Sequence, residues 1–319
     1  MKKLLALLLV SVLAFSLVSC FGPKKPDHSL SSEVSVGYLS GTTGLGMAKL
    51  IADVRADEDA NITFTKYDSP ALIMAAIANG SIDIACLPTN AFPKFYNEMS
   101  QSIRLAAINT LGVLYVATNG VTVSSIGDLA GKTVYVPEAA PKLVLQYLLS
   151  LYGVEDVTIS MEYDLDTLPS AIAAGNVSVA LLPEPKMTVA SNQATQAGKQ
   201  LTVALDLSAL WEAKSDSPLV QGALLVSSSF AESKSEALDE FLALYEESIE
   251  FMSDSKNLDA AAQYAVDAGI LPSVPVAKSA IPRCNLAFIC GADMKTSAEG
   301  FFNALGIAVP TGNWYYAGE

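Results

Sequence analysis

Apolar stretches of strand length alternate with segments of helical period along most of the chain. In the first half, this pattern predicts strands at residues 34–38, 62–67, 82–87 and 103–108, and helices at 43–54, 70–79 and 92–98. In the second half, it predicts strands at 133–136, 157–163, 177–182 and 201–207, and helices at 141–152, 167–174 and 238–252. Such alternation is typical of α/β proteins built around parallel sheets.

One part of the pattern occurs twice. Residues 76–88 match residues 171–183 at a constant offset, and about half of the aligned positions are identical. Each copy ends a helix at a glycine, Gly80 or Gly175, and then begins an apolar strand that stops at a proline. Any helix–glycine–strand junction in an alanine-rich α/β protein has this form, but the spacing also suits two lobes of similar design. Two facing lobes enclose a cleft, where small ligands usually bind.

The N-terminus has the features of an export signal. Two lysines follow Met1, and an apolar stretch that contains only Ser11 and Ser16 as polar residues then runs to Ser19-Cys20. At about 15 residues, this stretch is shorter than the roughly 20 that span a bilayer. Residues 17–20, Leu-Val-Ser-Cys, resemble the lipobox of bacterial lipoproteins, which implies cleavage after residue 19 and lipidation of Cys20. The alternative is an ordinary secretory signal with a chance cysteine. Residues 20–32 are polar and rich in Pro, Lys and Ser, and are predicted to be a flexible tether.

The length of the chain and its net charge limit the organisation and the partners that the protein can have. About 287 residues follow the tether, more than a single hydrophobic core usually supports, so two lobes are expected. The formal net charge is −14, which argues against nucleic acid as a partner. No block of like charge is concentrated enough to act as an interaction tail.

The cysteines do not form an obvious disulfide framework. Apart from Cys20, the chain has Cys86, Cys284 and Cys290, an odd number for an exported protein. Cys86 lies in an apolar run and is predicted to be a buried thiol. Cys284 and Cys290 flank an extended segment that separates them too far for a bridge unless the chain turns, which favours free thiols.

Several motifs, in a shared order, carry a family resemblance. They are Gly-Thr-Thr-Gly-Leu-Gly at 41–46, the segment from Gly80 to Asn90, residues 107–115, Ile-Gly-Asp-Leu-Ala-Gly-Lys-Thr-Val at 126–134, and Leu-Leu-Pro-Glu-Pro at 181–185. They resemble the binding proteins of the nitrate, sulfonate, taurine and pyrimidine importer group. The resemblance covers nearly the whole chain after the signal. It implies an α/β type II periplasmic-binding-protein fold, with mixed, mostly parallel sheets in two lobes.

The same resemblance implies an organisation and a function. Residues 33–112 and 223–319 would form the first lobe and residues 113–222 the second, joined by a hinge of two crossings near 109–115 and 221–226. The protein would be an extracytoplasmic monomer, anchored to the cell membrane by its lipid. It would capture a small-molecule solute and deliver it to an ABC permease and ATPase, without a cofactor, a metal or catalytic residues.

Candidate ligand-binding residues come from loops at the carboxyl ends of strands, where open α/β sheets bind ligands. In the first lobe, the loop after the first strand and the ends of the next two strands offer hydroxyls, amides and backbone N–H groups. These residues are Gly41, Thr42, Thr43, Gly44, Ser69, Thr89 and Asn90. The alternative is a structural role. The threonines of the loop, and also Ser69, Thr89 and Asn90, are residue types that often cap helix N-termini, and they can do so without binding a ligand.

Further candidates lie at the crossings and in the second lobe. They are Asn109, Thr110, Pro137, Glu138, Glu184 and Gln221. A carboxylate at Glu184 would favour an amine, an amidine or a pyrimidine ring. The alternative for Glu184 is a charge that only stabilises a helix N-terminus. The chain has only Arg55, Arg104 and Arg283, and this scarcity argues against nitrate or sulfonate, which usually recruit a guanidinium.

Two other function classes remain open. Related scaffolds include enzymes of pyrimidine synthesis and of the menaquinone pathway. The only histidine, His28, lies in the predicted tether, which argues against histidine-based acid–base, nucleophilic or metal chemistry. The third class is a ligand sensor that closes on its solute without transport.

Overall fold

The computed structural model describes residues 28–318, which form two β-sheets with helices packed against them. The predicted signal, Cys20 and the predicted tether up to residue 27 lie outside the described residues. The strands are β1 Val34–Tyr38, β2 Ile62–Lys66, β3 Ile84–Pro88, β4 Ile103–Leu111, β5 Leu114–Asn119, β6 Thr133–Tyr135, β7 Thr158–Ser160, β8 Val179–Pro183, β9 Leu201–Asp206, β10 Val220–Ser227 and β11 Leu286–Cys290. The helices are α1 Thr42–Leu45, α2 Ala48–Ala56, α3 Pro70–Ala78, α4 Phe92–Glu98, α5 Ala139–Leu151, α6 Leu168–Ala174, α7 Lys186–Gln196, α8 Leu207–Glu212, α9 Ser228–Ser233, α10 Ser235–Ser253, α11 Leu258–Asp267, α12 Val274–Ala280 and α13 Gly291–Ala304.

Both sheets are mixed. The first has the strand order β11-β4-β10-β3-β1-β2, and the second has the order β7-β6-β8-β5-β9. Strand β1 pairs in parallel with β2 and β3, and β6 pairs in parallel with β7 and β8. Strands β10 and β5 are antiparallel to both of their neighbours. The expected two-sheet α/β architecture is confirmed, but "mostly parallel" is too strong, because the strands next to the crossings run against their neighbours.

The chain crosses between the sheets twice. The first crossing lies between β4 and β5, at residues 112–113, within the predicted region. The return crossing follows α8 and ends before β10 begins at Val220. Because Val220 and Gly222 pair with Leu111 and Thr110, residues 220–222 belong to the first sheet and not to the second lobe to which the sequence assigned them.

Two predicted elements differ from the structure by more than a shift of their ends. The helix expected at 43–54 is divided into α1 and α2. Gly46 lies at the break, against the side chain of Ile249, where an added Cβ would approach that side chain to 2.7 Å. The strand expected at 157–163 is reduced to the three residues of β7.

The apolar core follows the alternation of strand side chains. Leu114 and Val116 of β5 belong to a cluster that also contains Leu105 and Ile108 of β4. Tyr115 and Ala117 face a separate cluster on the other side of the second sheet. The first cluster is therefore continuous across the crossings, whereas the outer faces of the two sheets have cores of their own.

Part of the predicted tether packs against the first sheet. His28 and Leu30 are buried, and the His28 ring lies 3.0 Å from Asp57. Leu30 exchanges two hydrogen bonds with the Asn61 side chain, and the Ser31 amide donates to Glu240. The prediction that the chain is a tether through residue 32 is therefore wrong for residues 28–32, because the burial of His28 and Leu30 and the hydrogen bonds of this segment hold it in place.

No helix among residues 28–318 is both long and apolar enough to cross a bilayer. The three cysteines of this part of the chain are free thiols, as expected. Cys86 and Cys284 are buried and Cys290 is exposed. Burial raises the pKa of the Cys86 thiol to about 12 and also raises the pKa of Cys284.

These environments predict thiol reactivity. In a Cys20→Ser variant at pH 8, an aromatic disulfide reagent should titrate one thiol in the native protein, Cys290, and three in urea. Cys86 and Cys284 should stay unreactive because their thiolates are disfavoured and enclosed. Two or more fast thiols in the native protein would contradict the structure, and a Cys290→Ser variant with no fast thiol is the control.

Candidate functional site

A cavity of about 870 Å³ lies between the two sheets, beside the crossings. Its volume falls in the range of small-molecule pockets. Side chains from both sheets line it, and most of them are apolar. The lining residues are Leu39, Ser40, Gly41, Thr42, Thr43, Asp68, Pro70, Pro88, Asn90, Val113, Leu114, Glu138, Ala140, Pro141, Leu143, Val144, Leu165, Asp166, Pro183, Glu184, Pro185, Lys186, Val189, Val220, Gln221, Gly269, Ile270, Leu271, Pro272, Phe301 and Leu305.

The loop after β1 forms one wall of the cavity, and side chains of β4 hydrogen-bond to the backbone of this loop. The Asn109 side-chain amide donates to the carbonyl of Thr43 at 3.0 Å, and the Thr110 hydroxyl donates to the carbonyl of Thr42 at 3.2 Å. The same Asn109 amide contacts the Tyr245 hydroxyl and the Cys86 sulfur. Asn109 and Thr110 are buried beneath the loop, so they position it and do not line the cavity.

Gly222 of β10 leaves space for this network. A Cβ at Gly222 would lie 2.3 Å from the Asn109 Oδ1 and 2.8 Å from the Thr110 Oγ1. Any side chain there would therefore displace the two groups that hold the loop.

Glu184 forms an ion pair that links the two lobes. It follows β8, its side chain is fully buried, and it accepts from the Arg283 Nε at 2.6 Å. The Thr188 amide donates to the other carboxylate oxygen, and Arg283 also donates to the Thr188 hydroxyl. The Arg283 carbonyl accepts from Tyr115. In this structure a guanidinium from the first lobe already holds the carboxylate, and the contact of Glu184 with a ligand amine stays a prediction.

Three charged residues of the lining were missed by sequence analysis: Asp68, Asp166 and Lys186. Asp68 follows β2, so its position at the carboxyl end of a strand could have identified it from the sequence. Lys186 and Asp166 form an ion pair at 2.6 Å. They are twenty positions apart, so no local sequence pattern predicted that they would pair.

The structure brings together about half of the predicted ligand residues. Gly41, Thr42, Thr43, Asn90, Glu138, Glu184 and Gln221 line the cavity. The Gln221 side-chain oxygen accepts from the Val113 amide, so this residue also ties the two crossings together.

Besides Asn109 and Thr110, four predicted residues are absent from the described lining: Gly44, Ser69, Thr89 and Pro137. Gly44 is buried against the Leu39 carbonyl, and Pro137 is buried behind Glu138. The Ser69 hydroxyl accepts from the Leu72 amide as the N-cap of α3. The Thr89 hydroxyl is fully buried and has no hydrogen-bond partner among the described residues. Within residues 28–318, no three His, Cys, Asp or Glu side chains are grouped to hold a metal ion.

The Gly222 contact predicts a stability effect. Gly222→Ala should lower the free energy of unfolding by about 1–3 kcal/mol, because the methyl group overpacks a buried site that cannot expand freely. Gly127→Ala is the matched control, since its nearest contact would be the Ser125 hydroxyl at 3.6 Å, and it should change stability by less than about 0.5 kcal/mol. Urea unfolding measures both variants, and equal stabilities would contradict the proposed crowding.

The buried ion pair predicts a second effect. Arg283→Met should cost about 2–3 kcal/mol, below the range for fully buried pairs because the Arg283 side chain is 37% exposed. The Glu184→Gln/Arg283→Met double variant should recover more than half of this loss, because no buried charge is left unpaired.

Lys278→Met is the control for that experiment, since it removes one partner of an exposed pair with Asp259 and should have little effect. The midpoint of urea unfolding at pH 7 is the measurement. A double variant less stable than Arg283→Met would contradict the assignment.

Solved structures with this fold include several binding proteins. An ABC transporter protein from Parabacteroides distasonis has a TM-score of 0.73 at 18% identity, over 90% of this chain and 99% of that one. The periplasmic aliphatic sulphonate-binding protein from Escherichia coli has a TM-score of 0.65 at 16% identity, over 86% and 88%. The periplasmic nitrate-binding protein from Synechocystis has a TM-score of 0.58 at 14% identity, over 85% and 80%. At these identities the likeness shows the fold, and the expected type II periplasmic-binding-protein fold is confirmed.

Sequence comparison gives the family. No curated protein matches the chain. A family model described as menaquinone biosynthesis matches residues 47–276, which is well over half of the sequence. The chain therefore belongs to the menaquinone biosynthesis family.

Proposed function

We propose that the protein is a solute-binding protein that captures a small molecule in the interlobe cavity and delivers it to an ABC importer. The observation that carries this proposal is the cavity itself. It is lined from both sheets and lies beside two short crossings, so rotation at the crossings changes its width. A ligand held by both sheets stabilises the closed arrangement, which a permease can distinguish from the open one.

The crossings have the tight construction that a hinge needs. A Cβ at Gly112 would lie 1.8 Å from the Ser208 hydroxyl, so only glycine fits there. The Asn285 side chain donates to the Gly112 carbonyl, and Gln221 accepts from Val113. Motion is thereby confined to a few backbone torsions, and the sheets can move as units.

The wider assignment rests on the fold and the N-terminal sequence. The solved structures of similar fold are named as ABC-type, sulphonate-binding and nitrate-binding proteins, which supports a small-molecule solute and an ABC permease and ATPase as partners. The lipobox-like sequence at Cys20 supports an extracytoplasmic protein anchored to the membrane by lipid. We further propose that it acts as a monomer without a cofactor, with the first lobe formed by residues 33–112 and 220–319.

A second candidate is an enzyme that acts in the same cavity, and the family match favours it. The cavity offers carboxylates and Lys186 as possible acid–base groups. It offers no imidazole, because the only histidine, His28, contacts Asp57 at the edge of the first sheet. Solute capture without turnover therefore remains the function that the geometry supports best.

A cavity-filling variant tests the binding site. A thermal-shift screen over amines, pyrimidines, sulfonates and carboxylates should yield a compound that raises the melting temperature by roughly 5 °C at saturating concentration. Ala140→Trp, which fills the cavity from α5, should abolish that shift. Ser150→Trp is the control, because Ser150 is exposed at the far end of the same helix and does not line the cavity.

Two further measurements separate binding from catalysis. Small-angle scattering should show a smaller radius of gyration with the compound bound. Mass spectrometry should recover the compound unchanged after long incubation. If the compound is converted to a product and Ala140→Trp prevents that conversion, the protein is an enzyme. If the compound raises the melting temperature of Ala140→Trp as much as that of the unaltered protein, the binding site lies elsewhere.

A further inference from the structure

The charges that line the cavity do not cancel. Five charged side chains face it, and three of them are already paired: Glu184 with Arg283, and Lys186 with Asp166. The other two are the carboxylates of Asp68 and Glu138. Within residues 28–318, neither has a hydrogen bond or an ion pair, and no unpaired cationic side chain lines the cavity.

These two carboxylates lie on opposite lobes. Asp68 follows β2 in the first sheet, and Glu138 precedes α5 in the second lobe. Glu138 is at the N-cap position of α5, yet its side chain accepts no hydrogen bond from that helix. Asp68 and Glu138 are both exposed in this structure, and closure of the lobes brings these two like charges towards each other, so a positive charge between them offsets their repulsion.

The rest of the lining suits the body of a small organic molecule. Leu143 and Val144 contribute apolar surface from α5, and Ile270 and Phe301 contribute it from the first lobe. The whole chain carries a net charge of −14, which attracts cations to the cleft and repels anions.

An anionic solute finds no unpaired cationic side chain among the described residues that line the cavity. Arg283 donates to Glu184 and Thr188, so its guanidinium is engaged. At the positive N-terminal end of α5, the N-cap position is occupied by the acidic residue Glu138. Nitrate and sulfonate are therefore poor occupants, whatever the solved structures of this fold bind.

The geometry points to an organic cation with an apolar body, such as a primary amine, an amidine or a quaternary ammonium compound, held between Asp68 and Glu138. This inference rests on the proposed function, and it assigns the two residues as the determinants of charge specificity. The cation offsets the repulsion between the lobes, so recognition and closure are coupled.

Three probes with one shared skeleton test the charge requirement: phenethylamine, 2-phenylethanol and 3-phenylpropionate. Dissociation constants are measured by calorimetry or saturation-transfer NMR at low ionic strength. The amine should bind at least about tenfold more tightly than the alcohol, and the acid should bind most weakly. Added salt should reduce the preference for the amine.

Variants locate the effect. Asp68→Asn and Glu138→Gln should each weaken amine binding about 5- to 20-fold and leave alcohol binding within about twofold. Glu58→Gln and Glu155→Gln remove exposed carboxylates from the first and second lobes outside the cavity and should leave both probes within about twofold. Unchanged alcohol binding also shows that each variant is folded.

The possible outcomes are distinct. If the alcohol or the acid binds more tightly than the amine, and Ala140→Trp abolishes that binding, the cation inference is overturned while the binding function stands. The same inference is overturned if Asp68→Asn and Glu138→Gln behave like the two controls. If neither these probes nor any compound of the wider screen binds in the cavity, both proposals are overturned.

Discussion

The pairing of Val220 with Leu111 brings the two segments that connect the sheets alongside each other. This junction determines how the lining residues of one sheet are positioned relative to those of the other. Hydrogen bonds from Asn285 to Gly112 and from Val113 to Gln221 join the crossings to each other and to β11. Because the chain passes between the sheets twice at one edge of the cavity, Val113, Val220 and Gln221 at the crossings line the cavity there. An apolar cluster that continues through the junction keeps this edge packed.

Two groups of buried polar residues stabilise the walls of the cavity. The network around Asn109 lies within the first lobe and fixes the carbonyls of Thr42 and Thr43, so that wall of the cavity is rigid. The Glu184–Arg283 pair joins the second lobe to the first. A buried carboxylate without its guanidinium would be costly, so this contact favours one relative arrangement of the lobes. The remaining lining is apolar, apart from hydroxyls, amides, the Lys186–Asp166 ion pair and the carboxylates of Asp68 and Glu138, which have no partner among the described residues.

The family match and the fold match suggest two different functions, and either function would use the same cavity. The family model concerns menaquinone biosynthesis, whereas solved structures of similar fold carry the names of ABC-type binding proteins. A type II periplasmic-binding-protein scaffold serves either role, because function depends on the groups in the cleft and not on the sheets. In this chain, carboxylates and Lys186 line the cavity, and the single imidazole, that of His28, lies outside it.

The sequence by itself determined the α/β class, the two-lobed plan and the loops from which the cavity is lined, because period and turn residues are local properties. It identified Glu138, Glu184 and the loop at 41–43, since strand ends can be located without knowing what faces them. It did not pair Glu184 with Arg283, 99 positions away, or place Asn109 and Thr110 beneath the loop instead of inside the cavity. Nor did it show that His28 and Leu30 pack against the first sheet. These facts depend on which distant segments meet when the sheets are joined, and only the tertiary structure decides which charges are cancelled and which remain for a ligand.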